Sequence, residues 1–162
     1  MKKIFSFVVI LMVLILLPSA LAPQRRGIKL GCVAPEVTLG DTVLLSSLTN
    51  NKNYTLLHFW ASYDATSRIA NRQYSRLVEQ YDSTLVRYVA VSYEHYPVLF
   101  DEIMKRDKLS IDNQYYDPAG RSSTLYEQYR LNKGFATYLI DTQGTIIAVN
   151  PDKTTIENIL GQ

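Results

Sequence analysis

The chain has 162 residues, 17 basic and 15 acidic, and a single cysteine. This length gives one ordinary domain with a core that stands without staples, and 47% hydrophobic against 20% charged residues excludes a disordered chain. One cysteine excludes an internal disulfide framework, a four-cysteine zinc site and a Cys-x-x-Cys redox pair, and two histidines argue against a histidine-rich metal centre.

Lys2 and Lys3 precede an apolar run over residues 4–17, followed by Pro18, Ser19, Ala20, Leu21 and Ala22. A basic start, a run of this length and small residues after it read as a secretory signal over residues 1–22. The run is shorter than the ~20 residues of a membrane span. Pro23 would be a poor first mature residue, so residues 4–22 also stand as an uncleaved membrane anchor. Either way the domain is expected outside the cytoplasm, periplasmic or otherwise extracytoplasmic. It is then soluble after cleavage or held at the membrane. Without residues 1–22 the chain keeps fifteen basic and fifteen acidic residues, so its charge points to no nucleic-acid partner. Cys32 follows Arg25, Arg26 and Lys29 and not the apolar run, which argues against lipid attachment. It reads as a small, half-buried residue.

Residues 23–36 read as an N-terminal segment and residues 37–162 as the domain proper. Residues 37–48 suggest a hairpin or sheet edge. Residues 54–61, nearly all apolar or aromatic, suit a central strand buried on both faces. Residues 64–81 read as a helix with Ala70, Tyr74, Leu77, Val78 and Tyr81 on one face. Arg68, Arg72 and Arg76 line another face, read as solvated and partly balanced by Glu79. Residues 85–92 form a second strand, and Pro97 opens a helix to about residue 105. A short helix covers residues 122–129. Residues 137–141 and 145–149 flank a tight turn and form an antiparallel hairpin. Residues 154–160 form the last helix. A βαβ half followed by a ββα half gives a three-layer α/β sandwich, a central mixed sheet with helices on both faces.

In such a fold, function sits where the first central strand feeds its helix. Here that junction reads Phe59-Trp60-Ala61-Ser62-Tyr63-Asp64-Ala65-Thr66-Ser67-Arg68. It resembles the thioredoxin-like superfamily, in particular the extracytoplasmic TlpA/ResA-type branch of thiol-disulfide oxidoreductases, with its F-W-A-[ST]-W-C-x-x-C-[RK] motif. Gly31-Cys32-Val33-Ala34-Pro35 resembles that branch's opening G-x-x-A-P. Leu139-Ile140-Asp141-Thr142-Gln143-Gly144-Thr145-Ile146 resembles its L-I-D-x-x-G-x-I hairpin. The resemblance implies a thioredoxin-like fold and oxidoreductase (redoxin) activity.

The same alignment removes the chemistry. Asp64 stands at the nucleophilic cysteine, Ser67 at the resolving cysteine, and Tyr63 at the usual tryptophan. The family's cis-proline position falls on Phe135, or with a one-residue slip on Ala136, where a trans bond is the default. Exchange needs a thiolate to attack a disulfide sulfur and a second thiol to resolve the mixed disulfide. Peroxide reduction needs an oxidisable sulfur or selenium. The glutathione-peroxidase pattern echoed by residues 60–66 also places its reactive position on Asp64. No catalytic residue is therefore expected, and the chain leans away from being an enzyme. Asp64 suits an N-cap. The sharper reading makes Trp60, Tyr63, Asp64, Ser67, Arg68 and Phe135 a binding pocket for a protein or small ligand of the cell envelope. No cofactor and no metal are expected.

His58, inside a strand, reads as a satisfied core histidine, and His95, after a strand, as a loop residue beside Glu94. The twelve tyrosines suit a core with polar rims, or an aromatic partner-binding surface. The expected function is an exported binding or interaction module. The alternatives are an oxidoreductase and a membrane-held structural accessory.

Overall fold

The computed structural model describes residues 25–46 and 53–161. The signal-or-anchor segment lies outside them. Among the described residues no helix is long and apolar enough to cross a membrane.

Strands β1 (Val37–Leu39) and β2 (Thr42–Leu45) form an antiparallel hairpin of their own, turned at Gly40, whose φ of 56° favours glycine. The central sheet holds β3 (Tyr54–Trp60), β4 (Val86–Ser92), β5 (Gln114–Tyr116), β6 (Thr137–Ile140) and β7 (Ile146–Val149) in the order β5-β4-β3-β6-β7. The pairs β3/β4 and β4/β5 are parallel, and β3/β6 and β6/β7 are antiparallel. The helices are α1 (Ala65–Val78), α2 (Pro97–Asp107), α3 (Thr124–Gln128) and α4 (Lys153–Leu160). This is the mixed α/β sheet expected from the pattern of elements.

The alternation of β3 divides the core. Leu57 and Phe59 enter one cluster with Val37, Leu45, Tyr129 and Tyr138, beneath the hairpin and α3. Leu56 and Trp60 enter the other with Leu77, Phe100, Met104 and Ile156, beneath α1, α2 and α4. Each buried side chain of this size contributes roughly 1.5–3 kcal/mol. Both faces of β3 are dry, as its near-continuous apolar sequence implies.

Two elements differ from the sequence expectation, α1 in two respects. β5 is an additional strand of three residues, too short to produce periodicity. Helix α1 ends at Val78, where Gln80 and Tyr81 make i→i−3 bonds to Leu77 and Val78 that tighten the last turn. Its most buried line is also polar: Ser67, Asn71 and Ser75 point inward with Leu77, while Tyr74, Val78 and Tyr81 pack only partly buried.

Residues 25–36 are tied to the sheet. Gly31 N–H donates to Ile146 O at 2.8 Å, Ile146 N–H to Cys32 O at 2.8 Å, and Ala34 N–H to Gly144 O at 2.9 Å. The segment thereby pairs with the turn before β7 and with its first residue, Ile146. The β6/β7 turn is set by Asp141, whose Oδ1 accepts from Gln143 N–H and Thr145 N–H, both at 2.8 Å.

Candidate functional site

The carboxyl end of β3 passes through residues 61–64 into α1. Asp64 has extended backbone (φ −103°, ψ 99°), and its Oδ1 accepts from Ser67 N–H at 2.7 Å. That is the geometry of an N-cap, which satisfies one of the free N–H groups of the first turn. Ser67 is buried, and its hydroxyl donates to Asp64 O at 3.1 Å and accepts from Ala61 N–H at 3.4 Å. The two positions aligned with the redox pair thus spend their polar atoms on holding this turn together.

A second clamp holds the same loop. Glu94, 3% exposed at the end of β4, accepts from both the backbone N–H and the hydroxyl of Ser62, the latter at 2.7 Å. Sequence reasoning noted Glu94 only as a companion of His95. Its position at a strand's carboxyl end was the available signal.

The remaining pocket candidates diverge. Trp60 is 0% exposed, and its ring lies 6.3 Å from Phe100 inside the core, away from solvent. Its place follows from β3, where residues 56 and 60 share a face. Arg68 turns toward α2. Its Nε and Nη2 each donate to Asp107 at 2.7 Å, a two-pronged pair. Asp107 is held below its ordinary carboxylate range, first by the hydrogen bonds from Arg68.

Tyr63 and Phe135 do come together. Tyr63 is 47% exposed; its ring stacks on His95 at 5.0 Å and 13° and lies 6.2 Å from Phe135. Phe135 stacks on Tyr93 at 6.1 Å and 18°, and Tyr93 meets Tyr126 edge-on at 5.2 Å. Five rings therefore form a ladder from the half-buried Tyr126 to the exposed His95. Phe59 N–H, donating to Ala136 O at 3.1 Å, fixes the loop that carries Phe135. Among the described residues no peptide bond is cis.

His58 is a core histidine, as expected. Its Nε2 faces Ser67 O at 2.9 Å, and its Nδ1 faces Thr137 Oγ1 at 2.8 Å. A carbonyl only accepts, so Nε2 carries the proton and Nδ1 accepts from the threonine. Burial lowers its pKa to about 4. Neutral and doubly hydrogen-bonded, it is a structural group. Among the described residues no cluster of three or more His, Cys, Asp or Glu could hold a metal ion.

Cys32, half-buried, lies in the segment bonded to β7 and has no cysteine partner. The junction therefore holds no nucleophilic sulfur. It offers instead a clamped, capped loop and an exposed aromatic edge.

No protein-family model matches the chain, and no curated protein matches it. Solved structures do. A thioredoxin-like protein from Parabacteroides distasonis is 34% identical with a TM-score of 0.78, covering 86% of this chain and 99% of that one. A thiol-disulfide oxidoreductase from Bacteroides fragilis is 24% identical with a TM-score of 0.64, covering 80% and 97%. StoA from Bacillus subtilis is 21% identical with a TM-score of 0.55, covering 70% and 84%. With its mixed five-stranded sheet and these matches, the chain belongs to the thioredoxin-like family, and it lacks that family's Cys-x-x-Cys pair.

Proposed function

We propose that this chain is an exported module of the TlpA/ResA-type branch that binds a partner in the cell envelope and performs no thiol-disulfide exchange. The observation that carries this reading is the use made of Asp64 and Ser67. The free N–H groups that would favour a thiolate at the start of α1 instead hold the carboxylate of Asp64. No second thiol exists anywhere in the chain to resolve a mixed disulfide. The binding face is the aromatic ladder, whose exposed end at Tyr63 and His95 is followed in the chain by the exposed Tyr96 and Val98. Aromatic rings offer large contact area at low entropic cost, which suits recognition.

Insulin-disulfide reduction and peroxide turnover by the full chain test this reading. Neither activity is expected above background. Turnover that survives Cys32→Ser would refute it. The double variant Asp64→Cys/Ser67→Cys should gain insulin reduction, because the capped helix N-terminus at those two positions is retained.

A further inference from the structure

The domain after residue 22 has equal numbers of basic and acidic residues, yet they are not evenly spread. Arg68, Arg72 and Arg76 recur every fourth residue along α1. Beside them lie two open grooves that share Ile69 and Arg72. One, of about 440 Å³, runs toward α2 and is lined by Arg68, Arg72, Arg106 and Asp107. The other, of about 740 Å³, runs toward α4, with Tyr74, Leu77 and Pro151 supplying apolar lining and Arg72, Arg76 and Lys153 the cations.

Three of the nearby acids are already engaged. Asp107 is held by Arg68. Asp152, which lines the larger groove, caps α4 by accepting from Thr155 N–H at 2.7 Å. Glu157 pairs with Lys153 at 3.4 Å. Glu79, expected to balance the stripe, makes no ion pair among the described residues. Among the described residues Arg72, Arg76 and Arg106 are thus exposed guanidinium groups without a salt bridge, Arg72 and Arg106 in the wider field of Asp107, around an Ile69 that is 54% exposed.

We propose that this face of α1 binds an extended acidic peptide segment, with acidic side chains at alternate positions meeting the free arginines and an apolar side chain covering Ile69. Spacing favours that occupant. Residues four apart on a helix rise about 6 Å, and alternate residues of an extended chain advance about 6.7 Å. Guanidinium forks match carboxylates. The apolar lining lies in grooves beside the helix, which side chains can enter and a flat lipid surface cannot. The inference does not depend on the redox reading: Arg68 touches the capped junction through its backbone N–H to Asp64 O at 3.0 Å, but Ile69, Arg72, Arg76 and Arg106, which would meet the peptide, make no bond to Asp64 or to the Ser67 side chain.

The test is fluorescence anisotropy of the full chain with a labelled peptide, Leu-Thr-Glu-Thr-Glu-Thr-Glu, at low salt. Binding is expected, and the counterpart with lysine in place of glutamate should not bind. Arg72→Glu/Arg76→Glu should weaken binding about tenfold or more, because two attractions become repulsions. Arg72→Gln/Arg76→Gln should fall between the two proteins, and an unchanged circular-dichroism spectrum keeps either variant informative. Salt near 1 M, where the Debye length is about 3 Å, should weaken the parent complex. Absence of binding, equal binding by the charge-reversed variant, or equal binding of the lysine peptide would overturn the proposal. So would attachment to phosphatidylglycerol vesicles without peptide binding.

Discussion

The two sides of α1 make opposite use of polar residues. Toward the sheet, Asn71 is fully buried and every polar atom of its side chain is matched. Its Nδ2 donates to Gln114 Oε1 at 3.0 Å, while its Oδ1 accepts from Gln114 Nε2 at 3.0 Å and from Tyr88 OH at 2.6 Å. Toward solvent, Arg72 and Arg76 carry full charges with no paired carboxylate. Buried polar groups are costly unless satisfied, so the inner set fixes one arrangement of α1, β4 and β5. Exposed charges contribute little to stability, so the outer set is free to serve recognition.

The contrast can be broken from the inside first. Asn71→Leu would strand the Tyr88 hydroxyl and the Gln114 amide in a dry interior. It should lower stability by about 4 kcal/mol in urea unfolding. A loss below roughly 1 kcal/mol would mean that the amide pair does not hold β5.

His58 gives the next largest effect, through pH. Its folded pKa of about 4 lies below the ordinary 6.5, so between these values the unfolded chain binds a proton that the native chain refuses. The associated stability is complete above pH 6.5 and declines as the pH falls toward 4, by about 3 kcal/mol. His58→Gln should flatten that stretch of the stability curve, and an unchanged slope would show that His58 does not titrate as its burial demands.

At the junction, Asp64→Ala should cost about 1 kcal/mol by removing the cap, and Asp64→Asn should restore most of it. If Asp64→Ala also abolishes capture of a partner while the fold persists, Asp64 does more than cap. On the outer face, Arg72→Gln/Arg76→Gln should change stability by less than about 0.5 kcal/mol. A larger loss would show that these arginines belong to the fold.

Much of the fold was legible in the sequence, and the site only partly. The long apolar strand at residues 54–61, the Pro97 helix start and the Asp141 turn each carry a local signature. They appear within a residue or two of the expected place. β5 carries none: three residues beginning with Gln114 are a strand only because β4 and the Asn71 amide receive them. The inner face of α1 was misjudged for a related reason. Periodicity weighs apolar residues, and here the deepest positions are Ser67, Asn71 and Ser75. At the site, Asp64 as a cap follows from residue type and position. Trp60 is expected in the pocket from its place next to the strand–helix junction. Simple alternation along β3 sends it into the core with Leu56. The aromatic ladder unites residues from four separate stretches of chain, and no local pattern could have assembled it.

The lone cysteine contributes through its main chain. Cys32 O and Gly31 N–H occupy the hydrogen-bonding groups that Ile146 would otherwise present at the rim of the sheet. An uncovered strand of this kind invites a second molecule to add on and grow aggregates. The start of β7 is thereby covered, and the opposite edge of the central sheet is three-residue β5, a short and poor template. The practical boundary of the folding unit therefore lies upstream of residue 37. A version trimmed to the hairpin would bare Ile146 at the start of β7, whereas one beginning at Arg25, whose carbonyl accepts from Val33 N–H at 2.9 Å, would keep it covered.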